Sequence, residues 1–256
     1  MTLTIVLLCL AVQRWLQFDS ATRQFDWFGH YLAWLKQRYG NQSFWPHLGG
    51  VCLIILPAWV IYILVATLIY HAIGMIAYYV LTLVVFWYCV DARSLQLHTA
   101  SGERLQPVLA NTYQHLFAMI FWLFLLGSSG VVLYTLVLLL DDALESKMDE
   151  KSVALRGFTL KVEAVLDWVP LRLMGLSYAL VGHFTPAFQY WYQHLWTGLN
   201  YTKEEATTCA FLAAGLKDAS GSVNEHQLRE MNHLVNRALL VWLVVIALFT
   251  IGAWIG

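Results

Sequence analysis

Between Gly50 and Val90 the chain carries no Asp, Glu, Lys or Arg, and only Gly74 divides this stretch into apolar runs at 50–73 and 75–90. In hydrocarbon every backbone N–H and C=O must be satisfied internally, which a helix does and an open strand does not. At ~20 residues per crossing, the two runs read as a tight hairpin of membrane-spanning helices. A third apolar stretch, 116–140, is interrupted by Gly127-Ser128-Ser129-Gly130, and a fourth, 238–255, lies near the end of the chain. Inside a membrane such an interruption is tolerated only where it is buried in protein or lines a cavity. It marks a close helix crossing, a kink or a re-entrant turn. Charged residues make up 12% of the chain and its mean hydropathy is +0.60, whereas soluble domains carry about 25% charged residues. Too little polar surface remains for a water-exposed globule. The expected fold is an all-α polytopic membrane protein, a single integral-membrane domain over 1–256 with about four full transmembrane helices plus short interfacial or half-inserted helices.

The segments between these runs are more varied. Residues 2–12, TLTIVLLCLAV, have no basic residue ahead of them and no small-x-small cleavage site behind. They read as a retained helix reaching about Phe18, half-inserted or packed under the bundle. In 20–39, Phe25, Phe28, Leu32 and Leu35 fall on one helical face, with Arg23, Asp26, Lys36 and Arg38 on the other and Ser20 placed as the N-cap. Residues 13–48 therefore read as an interfacial amphipathic region, or as a helix packed on other loops. Residues 141–152, DDALESKMDEKS, belong in water, and 141–163 and 184–236 read as polar loop regions containing helices. Residues 164–182 are apolar but broken by Asp167, Pro170 and Arg172. Orientation depends on whether this segment crosses the membrane.

Several classes of function find little support. A net charge of −1 gives no basic footprint for nucleic acid. Cys9, Cys52, Cys89 and Cys209 have no CxxC or metal-ligand spacing and read as small buried hydrophobes. His226 and His233 share a helical face but lack a third ligand. No metal or cofactor is expected. Trp15, Trp27, Trp34, Trp45, Trp191 and Trp196 flank apolar runs, where indoles act as interfacial anchors.

The informative cluster is Asp167, Pro170 and Arg172. An ion in a membrane segment costs ~3 kcal/mol or more, so two opposite charges around a proline suggest a built feature. Arg172 is either an anion anchor at a polar cleft or the partner of Asp167 or Glu163. Glu163 and Asp167, four apart, share a face and repel unless a cation sits between them. Arg93 and His98, at the foot of the second span, complete the candidate ligand-binding set of Arg172, Asp167, Glu163, Arg93 and His98, with His98 suited to proton transfer. His183 places a cation at the end of the apolar segment.

Leu166-Asp167-Trp168-Val169-Pro170, Arg172-Leu173, Tyr178-Ala179-Leu180 and Gly182-His183 together resemble the AmpE family of bacterial inner-membrane proteins. So does the layout of a short apolar start, an amphipathic helix, paired spans and a C-terminal helix. The resemblance implies a multi-pass protein of the bacterial inner (cytoplasmic) membrane that modulates β-lactamase induction beside a cytoplasmic amidase degrading cell-wall muropeptides. On that basis the expected partners are the lipid bilayer, a small anionic, muropeptide-like ligand, and a protein of the induction pathway. More distantly the chain is similar to the CobD/CbiB family of cobalamin biosynthesis, which joins an amine to a corrinoid acid in an amide bond. That family's acidic pair corresponds to Glu163-Ala164 here, its Asn to Asp167, and its Glu-Asn-x-x-Asp stretch to the acid-free Asn111–His115. Such chemistry needs carboxylates for magnesium, so the first reading is a non-catalytic regulator. A CobD/CbiB-like amide ligase is the alternative, and a small-molecule transporter is a third.

Overall fold

The computed structural model describes residues 2–16, 25–40, 42, 44–90, 105–145, 147, 149–196, 198, 203–216 and 225–255. Among them there are helices and no strand. They are α1 (Thr2–Leu16), α2 (Asp26–Tyr39), α3 (Leu48–Ala72), α4 (Met75–Cys89) and α5 (Leu105–Thr112). After α5 the helix widens into a π-helical stretch, Tyr113–Ala118, and tightens again as α6 (Met119–Leu126). Then come α7 (Ser128–Glu145), α8 (Glu150–Val181), α9 (Phe184–His194), α10 (Lys203–Ala213) and α11 (Glu225–Ile255). Four helices are long and apolar enough to cross a membrane: Leu48–Ala72, Gln106–Leu126, Glu150–Val181 and His226–Gly252. In α3 only 17% of the apolar window is buried, so most of that helix faces the bilayer. The chain is an all-α polytopic membrane protein.

The set of crossings differs from the sequence expectation in three places. The run at 75–90 becomes a helix of 15 residues, short of the ~20 that span hydrocarbon. The stretch 116–140 is not one span. Gly127, at φ +67°, ends α6 and reverses the chain into α7, a backbone angle other residues rarely adopt. The Gly-Ser-Ser-Gly interruption is thus a turn between closely packed helices, and a Cβ at Gly130 would meet the Trp122 carbonyl oxygen at 2.6 Å.

The third difference is the largest. Residues 164–182 are the second half of a 32-residue helix, and α8 runs through Pro170 without a break. Its first half lies in 141–163, read from sequence as a polar loop region containing helices. It is helical because Ser152, Leu155, Thr159 and Glu163 recur at three- and four-residue spacing and are all buried. The acidic turn between α7 and α8 is held by ion pairs. Arg156 bonds Asp141 at 2.8 Å and Glu145 at 3.2 Å, and Lys36 of α2 reaches Asp149 at 3.1 Å. Hydrogen bonds from Ser152 first, and then from Lys36, hold the Asp149 carboxyl below the usual carboxylate range.

Two apolar clusters follow. One joins Phe28, Leu32 and Leu35 of α2 to Ile54, Leu140 and Leu155, so the sequence-derived face of α2 packs onto the bundle. Trp45, expected as an interfacial anchor, is 1% exposed within this cluster, whereas Trp27, Trp34 and Trp196 are exposed. The other cluster gathers α1, the α5–α6 segment, α8, α10 and α11 around Phe117, Tyr178, Cys209 and Val235. None of the four cysteines forms a disulfide; Cys9 and Cys209 are buried and Cys52 is exposed. Ser20 lies outside the described residues.

Candidate functional site

Helix α8 places Glu163 and Asp167 one turn apart on its buried face, 3% and 1% exposed. Each carboxylate has been taken out of water, which is costly unless its oxygens are bonded. The Tyr113 and Tyr134 hydroxyls both donate to Asp167 Oδ1 at 2.8 Å. Gln114 Nε2 donates to Glu163 Oε1 at 2.7 Å. The Lys203 ammonium binds the same Glu163 oxygen and lies 3.9 Å from Asp167 Oδ2. Local structure explains the convergence. The π-helical stretch opens at Tyr113, and this wider helical form often appears at functional sites. There the neighbours Tyr113 and Gln114 reach successive turns of α8. Lys203 is the first residue of α10, which packs along α8 and α9. The cation that Glu163 and Asp167 require is therefore Lys203. With a side chain 28% exposed, it brings the cluster to the surface.

Arg172 is 6% exposed and has a different role in the geometry. Its Nε donates to the Leu195 carbonyl at 3.0 Å, Nη1 to the Trp168 carbonyl at 2.8 Å and Nη2 to the Gly198 carbonyl at 2.7 Å. The guanidinium also lies 4.4 Å from the Trp168 ring centroid. In return Trp191 Nε1 donates to the Arg172 carbonyl at 2.9 Å. A helix end leaves its last carbonyls without intrahelical partners, and Arg172 supplies donors just past the end of α9. It thereby clamps α9 against α8, while the ion pairs of Glu163 and Asp167 go to Lys203.

The other end of this assembly is closed by backbone. His183 stands at the N-cap of α9, and its N–H donates to the Ala213 carbonyl at 2.7 Å. A Cβ at Gly182 would sit 2.4 Å from that carbonyl oxygen, so the approach of α10 requires glycine there. Arg93 and His98 lie outside the described residues. His226 and His233 are exposed, and among the described residues no group of three His, Cys, Asp or Glu side chains could hold a metal. A crevice between α5, α8 and α10, lined by Leu109, Tyr113, Met174, Tyr178, Lys203 and Thr207, leaves room for about one water.

Sequence reasoning brought Glu163 and Asp167 together but missed Tyr113, Gln114, Tyr134 and Lys203. Tyr113 and Gln114 did fall inside the window 111–115 that the CobD/CbiB resemblance singled out. Tyr134 carries no local signal, because a tyrosine on an apolar helix reads as core or interface.

Comparison with known proteins bears on these residues directly. The family model described as "Regulatory signalling modulator protein AmpE" matches residues 103–255. The chain is also similar to the cobalamin biosynthesis protein CobD of Chromobacterium violaceum, 31% identical over 101 residues, covering 40% of this chain and 32% of that protein. CobD of Stutzerimonas stutzeri is 27% identical over 185 residues, 64% of this chain and 59% of that protein. The chain thus spans from about a third to about three fifths of the length of the curated relatives it matches. No solved structure matches. With the family model extending over more than half of the chain, and over every member of the acid–tyrosine–lysine cluster, the protein belongs to the AmpE family of regulatory signalling modulators.

Proposed function

We propose that this protein modulates β-lactamase induction from the bacterial inner membrane by binding a signal without turning it over. The observation that carries this reading is the self-satisfied cluster on α8. Glu163 and Asp167 are already neutralised by Lys203 and saturated by Gln114, Tyr113 and Tyr134. Such a set is poised to respond to a competitor. A small anionic, muropeptide-like ligand drawn to the exposed side of Lys203 competes with Glu163 for one ammonium. Removing the ammonium leaves buried carboxylates unpaired, a costly state, so binding is coupled to the position of α10. Arg172 acts here by holding the end of α9. Arg93 and His98 remain candidates for the rest of the ligand contacts. A protein of the induction pathway would then read the position of α9 and α10.

The similarity to CobD proteins supports a second reading, ATP-dependent amide formation. That reading needs magnesium carboxylates, and the pair best placed for it, Glu163 and Asp167, is occupied by Lys203. Thermal stabilisation of the detergent-purified protein separates the two, since a ligand of the folded state raises its melting point with concentration. The panel holds anhydro-muropeptides, Mg-ATP and corrinoid acids, on wild type and Lys203→Met. A muropeptide shift lost in the variant supports the modulator. An Mg-ATP or corrinoid shift overturns it in favour of the ligase.

A further inference from the structure

Away from the acid–tyrosine–lysine cluster, α7 lines a second feature of different chemistry. Between α3, α4 and α7 lies an apolar slot of about 350 Å³, walled by Ala58, Tyr62, Val84, Tyr88, Val132 and Leu139. The size falls within the range of ligand pockets. Its walls are mostly apolar; the Thr135 hydroxyl donates to the Val131 carbonyl at 2.8 Å, and the Tyr62 hydroxyl is a buried polar group with no hydrogen-bond partner among the described residues. Phe25 and Leu139 also border a wider vestibule of about 660 Å³, which continues along α2 to His30 and along α7 to Asp142. The two spaces adjoin at Phe25 and Leu139 and are read together as one path, the slot apolar and the vestibule reaching Asp142.

Two quantities identify what fits it. From Val132 to Asp142 the axis of α7 rises about 15 Å at 1.5 Å per residue, half of a hydrocarbon core of ~30 Å. The path therefore has the depth of a single leaflet. Its polar end lies at the charged α7–α8 turn, which carries the ion pairs to Arg156 and Lys36. The sign of the charge there is also determined. Asp141 and Glu145 are both bonded by Arg156. The Asp142 carboxylate lines the vestibule, is exposed, and makes no hydrogen bond or ion pair among the described residues, although Arg156 acts on it at longer range. With Asp141 and Glu145 beside it and Arg156 already bonded to both, the balance there attracts a cation and repels an anionic headgroup.

We infer that this path binds one phospholipid of the bilayer with an ammonium headgroup, phosphatidylethanolamine, its acyl chain in the slot and its amine at Asp142. The inference goes beyond the modulator reading and does not depend on it. The protein uses the lipid to seal α2 over α3, α4 and α7, where its own side chains leave a gap.

Delipidated protein is offered mixed micelles with equal phosphatidylethanolamine and phosphatidylglycerol of identical acyl chains, and retained lipids are counted by native mass spectrometry. Wild type retains the ethanolamine lipid by about fivefold over the glycerol lipid, the selectivity one partly screened charge pair supplies. Asp142→Asn, a surface change that leaves the melting point in place, keeps the total but brings the ratio near one. Ala58→Trp fills the slot and removes most of the retained lipid. Val84→Trp, at the lipid-exposed edge of the slot, repeats that test if Ala58→Trp fails to fold. Equal retention of the two headgroups by wild type overturns the inference, as does a preference for phosphatidylglycerol. Lipid counts unchanged by both tryptophans also overturn it, since the lipid is then only annular.

Discussion

Replacing Arg172 with methionine tests whether this guanidinium is a clamp or a ligand anchor. Methionine keeps much of the side-chain length and its apolar packing while deleting every N–H donor. The Leu195 and Gly198 carbonyls, bonded at 3.0 and 2.7 Å, lose a charged donor, and bonds of that kind contribute about 1.5–3 kcal/mol each. The Trp168 carbonyl lies within α8 and counts for less. Stacking on the Trp168 ring adds about 0.5–1 kcal/mol. Allowing for water reaching part of the site and for non-additivity, the loss is about 3–5 kcal/mol. At ~2–4 °C per kcal/mol for a chain of this size, the melting midpoint falls by roughly 6–20 °C. Arg172→Lys keeps the charge but not the fork of donors and falls by less. The assay is a thermal melt in one detergent at one scan rate, because such unfolding is often irreversible. Limited proteolysis between residues 195 and 203 accompanies it, and cleavage there accelerates in Arg172→Met. A variant melting within about 2 °C of wild type, with unchanged cleavage, would falsify the clamp and return Arg172 to the role of ligand anchor.

Three further outcomes follow from the same geometry. Lys203→Met removes the ammonium from two buried carboxylates and lowers stability by about 2–4 kcal/mol. Adding Glu163→Gln recovers part of this, with a coupling above about 1 kcal/mol in the double-mutant cycle; additive effects would mean the two residues do not interact. Asp149 has a depressed folded-state pKa, so its contribution is present above the unfolded value near 3.9 and is lost as pH falls below it. Both partners are more than a third exposed, so Lys36→Met costs at most about 1 kcal/mol at pH 7 and low salt. The difference from wild type narrows as the pH falls from the unfolded value through the lower folded one, and a gap that widens in acid contradicts the assignment. Finally, burial pushes the Cys209 thiol up to about 12, with Sγ 3.4 Å from the Gly175 carbonyl. It resists maleimide at pH 8 in the folded protein and reacts once SDS unfolds it; rapid labelling of the folded state would show that α10 does not pack as described.

The amine-selective path and the carboxylate cluster share one design principle. In the cluster, buried carboxylates on α8 take their cation from Lys203 of α10. Asp142, exposed near the end of α7, makes no ion pair among the described residues, and the inferred lipid amine supplies one.

Much of the architecture was legible as local pattern. Uncharged runs around Gly74 specify a helical hairpin, because hydrocarbon excludes any other backbone arrangement. The spacing of Phe28, Leu32 and Leu35 defines a buried face before any partner is known. Even the need for a cation beside Glu163 and Asp167 is written in their four-residue separation. Tertiary structure alone decided the rest. A Gly-Ser-Ser-Gly interruption reads equally as a kink or a reversal, and only the packing of α6 on α7 selects the reversal. Residues 141–163 read as a polar region containing helices, but hydropathy does not show that 150–163 continue unbroken into the apolar segment, since a helix with one buried stripe and a loop have similar mean polarity. Lys203, Tyr113 and Tyr134 meet Asp167 across separations of 33 to 54 residues for the tyrosines, and from another helix for the lysine. Local sequence records periodicity and hydropathy, whereas the partner of a buried charge is chosen by which helices pack together, so no single segment encodes it.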